Sequence, residues 1–142
     1  MTNWDRRYFA LAQHVSQWSR DPSTQVGAVV VGRDRRLIAF GYNGFPPGVK
    51  DTTERLADKP TKYALTQHAE RNALDFARFD LEGATLVTTM FPCQECAKSI
   101  VSRGIKRVVT PPPLDREPWK SSSDWTQMMF QEVGITVVIL TD

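Results

Sequence analysis

Residues 84–109 read ATLVTTMFPCQECAKSIVSRGIKRVV, and this stretch decides the fold. Ala84–Thr89 is a short β-branched apolar run of the kind buried in the middle of a sheet. Pro92 then opens a helix that runs through Ile100 and Val101 and stops near Gly104, and Ile105–Val109 is apolar and β-branched again. Strand, helix and strand thus alternate across this stretch, the order from which a partly parallel sheet is expected.

The flanking sequence extends the same order. Tyr8, Leu11, Ala12, Val15 and Trp18 recur at three- and four-residue steps, so Trp4–Trp18 is predicted to be an amphipathic helix. Pro22 pushes Asp21 out of helical geometry and ends it. Gln25–Val31 and Leu37–Tyr42 read as strands joined by a turn at Gly32-Arg33-Asp34-Arg35. Residues 43–67 are turn-rich and charged, long enough to be functional or to contain a short helix. A helix begins at His68 and runs through Ala77, Asp124–Glu132 forms another that Gly134 caps, and Ile135–Leu140 is the last strand. Helix, hairpin and then alternating helices and strands define an α/β protein with a partly parallel sheet covered on both faces. Trp119 and Trp125 are read as core-packing residues, with an aromatic wall of a binding pocket as the other reading, and His14 carries no partner pattern.

The 142 residues suit a single domain, 1–142, with no linker, repeat or low-complexity tract. Hydrophobic residues make up 41% and charged residues 24%, and the formal net charge is +2, an ordinary globular composition too weakly basic to argue for nucleic-acid binding. No apolar run approaches the ~20 residues that cross a bilayer, and the Met1-Thr-Asn-Trp-Asp-Arg-Arg start lacks the grammar of a secretory signal. A cytoplasmic protein is expected. Its two cysteines, Cys93 and Cys96, stand three apart, which in a reducing compartment points to a metal site or a redox pair rather than a structural disulfide.

Read as chemistry, His68 with Cys93 and Cys96 supplies one imidazole and two thiolates, a three-ligand set that leaves the fourth position of a catalytic zinc for water. The free N–H groups and dipole of the helix that the Cys-x-x-Cys segment opens favour the thiolate form. Glu70, two residues beyond His68, points away from the ligand direction and toward the metal-bound water, where it can take a proton and pass it to a leaving amine. Taken singly, each feature has a plainer reading: a redox pair, a structural histidine, a first-turn carboxylate complementing the helix dipole. Together, the order His-x-Glu followed by Pro-Cys-x-x-Cys is the known signature of zinc deaminases, in which the glutamate is not a ligand.

Beyond those segments the sequence resembles the cytidine/deoxycytidylate deaminase superfamily, and within it the deoxycytidylate (dCMP) deaminases. The resemblance is carried by Ser19-Arg20-Asp21-Pro22-Ser23-Thr24-Gln25-Val26-Gly27-Ala28-Val29-Val30, by Gly41-Tyr42-Asn43-Gly44-Phe45-Pro46, by His68-Ala69-Glu70-Arg71-Asn72-Ala73-Leu74, and by Cys96-Ala97-Lys98-Ser99-Ile100 with Gly104-Ile105. It implies a three-layer α/β/α sandwich with a five-stranded mixed sheet, one Zn2+ per chain, and hydrolytic attack on C4 of a cytosine nucleotide, dCMP giving dUMP and ammonia. It also implies that Asn43 contacts the sugar or an effector nucleotide, that Ser19, Arg20, Ser23 and Thr24 lie near the phosphate, and that the chain is a homo-oligomer, dimer or hexamer. Three departures stand out: no cysteine remains for a second zinc, Val49-Lys50-Asp51 follows Gly48 where the family often has Cys and paired acids, and Thr110-Pro111-Pro112-Pro113 replaces the usual tyrosines after the strand ending at Val109. Alternative substrates for the same fold are 5-substituted dCMP, dCTP, guanine or tRNA adenosine, and a zinc-binding protein without activity is the reading from another class.

Overall fold

Five consecutive buried residues, Gly27–Val31, form β1, and their two faces set the layers of the molecule. The computed structural model describes residues 1–141. Val29 and Val31 face α1 (Asn3–Ser16) and pack on Ala12, with Tyr8 and Leu11 at the margin. Ala28 and Val30 face the opposite layer, whose core gathers Ala69, Ala73 and Leu74 of α4 (Ala69–Phe76), Ala97 and Ile100 of α5 (Gln94–Ser102), and Phe130 of α6 (Trp119–Val133). Two short helices, α2 (Thr53–Ala57) and α3 (Lys59–Leu65), occupy the long connection.

The sheet has the order β2-β1-β3-β4-β5, with β2 (Ile38–Tyr42), β3 (Thr85–Thr88), β4 (Arg107–Thr110) and β5 (Thr136–Ile139). β1 pairs antiparallel with both β2 and β3, whereas β3–β4 and β4–β5 are parallel. The expected partly parallel sheet is built by the crossovers β3-α5-β4 and β4-α6-β5. This is the three-layer α/β/α sandwich with a mixed sheet.

Two details tie the helices to the sheet. A β-carbon at Gly41 would lie 2.5 Å from the backbone nitrogen of Ala73 and 2.8 Å from the carbonyl oxygen of Ala69, so α4 rests directly on the β2 backbone. At the far end of the sheet, Arg107 donates two hydrogen bonds of 2.6 Å to the two carboxylate oxygens of Asp5, tying α1 to the start of β4.

Several expectations shift. The first helix ends at Ser16, and Trp18 lies exposed beyond it. α6 begins at Trp119 rather than Asp124, its opening turn held by Ser121 Oγ donating to Glu117 Oε1 at 2.7 Å. Trp119 and Trp125 do not pack in the core: α6 turns Ser123, Thr126 and Phe130 inward and leaves both indoles on its outer face. Gly134 caps α6 in the left-handed conformation, φ 77°, as its position implied. Among the described residues no helix is long and apolar enough to cross a membrane.

Candidate metal centre and active site

Two helix starts converge at one end of the sheet. His68 is the N-cap of α4, in extended geometry and making no side-chain cap bond, so its imidazole is free to face another group. Cys93 is the N-cap of α5, and its sulfur accepts the Cys96 N–H at 3.5 Å. The second cysteine sits one turn into the same helix on the same side. His68 Nδ1 lies 3.3 Å from Cys96 Sγ and 3.4 Å from Cys93 Sγ, and the three donor atoms fall within 4.8 Å of one another.

These distances fit a zinc ion. Zinc–nitrogen bonds of about 2.0 Å and zinc–sulfur bonds of about 2.3 Å imply tetrahedral N···S edges of about 3.5 Å. The protonation chemistry agrees. The Cys96 thiol beside it, and then the His68 ring, hold Cys93 down to about 4, whereas the Cys93 sulfur and burial push Cys96 up. A dication converts both to thiolates. Contact with Cys93 raises the His68 pKa against the opposing effect of burial. Exposure is graded across the trio: His68 is exposed, Cys93 half-buried and Cys96 buried.

Glu70 lies in the first turn of α4, only 4% exposed. Burial pushes its carboxyl up to about 7, against the lowering effect of the His68 charge and of its own backbone N–H. A carboxyl that changes protonation near neutral pH beside a metal-ligand set is suited to accepting and returning a proton.

α6 braces this centre in a way no sequence pattern announced. Thr126 Oγ1 donates to the Pro92 carbonyl at 3.0 Å, and the Gln94 N–H donates to Ser122 Oγ at 3.0 Å. Hydroxyl side chains in the middle of a helix ordinarily weaken it. That oddity in Ser121-Ser122-Ser123 and Thr126 was the available signal.

The remaining predicted residues gather in a neighbouring segment. An isolated antiparallel bridge joins Gly44, next to Asn43, to Gln67, next to His68. A cleft of about 150 Å³ is lined by residues including Trp18, Arg20, Asn43, Asp51 and Thr66, and by none of the three donors. Arg20 is largely exposed and pairs with Asp51 at 3.2 Å. Ser19 is buried, its hydroxyl donating to the Asn43 carbonyl at 2.8 Å. The Asn43 side chain is committed within the chain: Oδ1 accepts from Val26 N–H at 2.8 Å and Nδ2 donates to the Thr24 carbonyl at 2.9 Å. Ser23 Oγ lies between Asp21 and Lys62, and the Thr24 N–H donates to Asp21. Ser19 and Asn43 thus shape the 19–26 loop, and Arg20 is the member of the set whose charge faces the cleft. Lys62 and Asp21, buried against each other, were missed.

An α/β/α fold with a His-Cys-Cys centre and a buried carboxyl at its rim defines the class of zinc-dependent hydrolytic deaminases. The family model of the cytidine and deoxycytidylate deaminase zinc-binding region matches residues 2–111, and the chain belongs to that family. A deaminase of uncharacterised activity from Aliivibrio fischeri is 39% identical over 99% of this chain and 95% of its own length. The deoxycytidylate deaminase of Mus musculus is 35% identical over 94% of this chain and 77% of its own. The dCMP deaminase of cyanophage S-TIM5, solved in complex with dCMP and dUMP, superposes with a TM-score of 0.77 at 26% identity, covering 99% of each chain.

Proposed function

We propose that the chain hydrolyses dCMP to dUMP and ammonia with one zinc ion, acting as one deaminase domain over residues 1–142. The observation that carries this reading is the meeting of His68, Cys93 and Cys96 beside a buried Glu70 whose pKa lies near 7. The deoxycytidylate deaminases among the relatives narrow the substrate to a cytosine nucleotide. His68, Cys93 and Cys96 hold the ion, which when bound supplies the Lewis acidity that makes a water nucleophilic at neutral pH.

Glu70 passes the proton released as water adds to C4 of cytosine onto ring N3, then takes the proton of the new C4 hydroxyl and delivers it to the amino group. The C4–N bond then breaks, C4 becomes a carbonyl, and ammonia leaves. Burial keeps bulk water from competing for that proton. Arg20 pairs with Asp51 without nucleotide and exchanges that carboxylate for the phosphate when nucleotide binds. The hydroxyls of Ser19, Ser23 and Thr24 and the amide of Asn43 serve this contact from behind, by holding the loop. A cytoplasmic location and a homo-oligomer complete the reading. The oligomer is supported by an uncovered apolar face of Ile38, Phe40 and Tyr42 on the edge strand β2, with Trp18 packed edge-on against Phe40 and Tyr42.

The deciding experiment measures ammonia release from dCMP, 5-substituted dCMP, dCTP, cytidine, guanine and tRNA. Turnover of dCMP above the others is expected, and turnover of guanine or tRNA with dCMP ignored overturns the substrate. Purified protein is expected to carry about one zinc per chain, the number that one His-Cys-Cys centre holds. His68→Ala, Cys93→Ala and Cys96→Ala are each expected to lose the metal, read by elemental analysis.

A further inference from the structure

The Lys62 ammonium of α3 is buried, its side chain 5% exposed, against an Asp21 side chain 9% exposed. It donates to Asp21 Oδ1 at 3.1 Å and to Ser23 Oγ at 2.8 Å. The same Asp21 oxygen accepts the Ser23 N–H at 2.9 Å, the Ser23 hydroxyl at 3.1 Å and the Thr24 N–H at 3.0 Å. The single proton of Ser23 Oγ is therefore given to Asp21, and a lone pair is given to Lys62. With its proton spent there, Ser23 serves the loop rather than a ligand.

Stability alone does not call for this arrangement. Desolvating two charges offsets much of their attraction, and an apolar pair of similar volume often does as well or better. What a buried, hydrogen-bonded pair adds is a defined geometry. Here it joins α3 to the turn that immediately follows Arg20. Arg20 itself is mostly exposed and touches only Asp51 through its side chain among the described residues, so its place at the cleft depends on the backbone behind it.

We propose that Lys62 is a positioning residue for nucleotide binding. Its ammonium locks the Asp21–Thr24 turn against α3 and thereby presents Arg20 to the phosphate. This rests on the reading of Arg20 as the phosphate ligand.

The test is a double-mutant cycle in steady-state kinetics with dCMP on zinc-loaded protein, comparing Arg20→Ala, Lys62→Met, their combination, and Lys62→Arg as the conservative rescue. Lys62→Met is expected to raise KM about tenfold with kcat within about threefold and zinc content unchanged, the pattern of lost ground-state binding. In the Arg20→Ala background the same change is expected to raise KM by less than about twofold, because the two residues act through one contact. Lys62→Arg is expected to restore most of the affinity. Fully multiplicative effects, or a fall in kcat at constant KM, overturn the proposal. An unchanged KM in Arg20→Ala removes the phosphate reading itself, whereas a raised KM there with none in Lys62→Met removes only the role of Lys62. Should Lys62→Met fail to fold, Asp21→Asn keeps an acceptor for the two backbone amides while deleting the charge. It is expected to show the same KM-selective loss, and an unchanged KM in that variant overturns the proposal equally.

Discussion

Asp5 and Glu70 are buried almost equally, 3% and 4% exposed, yet they sit at opposite ends of the sheet and have opposite chemistry. Asp5 faces the Arg107 guanidinium through two 2.6 Å hydrogen bonds, and that partner holds its carboxyl down to about 2. Glu70 has no such cation bonded to it, and burial lifts its carboxyl to about 7. Burial alone decides neither value. A fitted guanidinium fixes a charge and makes a carboxylate part of the scaffold, while an uncompensated site leaves the proton mobile and makes a carboxyl useful.

The contrast can be broken most severely at Glu70. Glu70→Gln preserves shape but cannot exchange a proton, so kcat is expected to fall by about three orders of magnitude or more, roughly 4 kcal/mol of barrier. Zinc content should stay at the level of the parent protein, and near-normal turnover would end its assignment as proton carrier. At the other end, Asp5→Asn is expected to leave kcat for folded protein unchanged and to cost about 2 kcal/mol of stability, since Arg107 is left with half its partner. Thermal denaturation would show this as a Tm lower by about 5 °C. The smallest effect is one of pH. Because the folded pKa of Asp5 lies below its unfolded value of 3.8, the pair contributes fully above pH 4 and its contribution is lost as pH falls toward 2. The loss is about 1–2 kcal/mol, allowing for the part of Arg107 that water screens. The difference in unfolding free energy between parent and Asp5→Asn should therefore shrink over that interval, and a constant difference would contradict the pairing.

Much of this was legible before any coordinates. The strand-helix-strand order of 84–109 shows itself because β-branched runs flank a segment with a proline start and a glycine stop, all local signals. The His68, Cys93 and Cys96 trio shows itself because two short motifs, His-x-Glu and Pro-Cys-x-x-Cys, combine into one signature although 25 residues separate His68 from Cys93. The ends of the sheet were not legible: Asp5 and Arg107 are 102 residues apart, and nothing in either neighbourhood names the other. Lys62 looked like one more charge in a polar connection, since only the folded chain reveals that α3 turns it inward. The indoles of Trp119 and Trp125 misled because size and apolarity argue for a core, while helix phase, set by Ser123, Thr126 and Phe130, turned them out.

Position 41 bears on all of this through what it lacks. With hydrogen in place of a methyl, β2 lets the carbonyl and amide of α4 come to rest on it, and the start of that helix carries both His68 and Glu70, the proposed ligand and proton carrier. One added carbon there would act as a wedge, lifting ligand and base together away from two cysteines anchored on a different helix. On the proposed reading, the alignment of ligand and base thus depends on the missing side chain at a residue that takes no part in the chemistry.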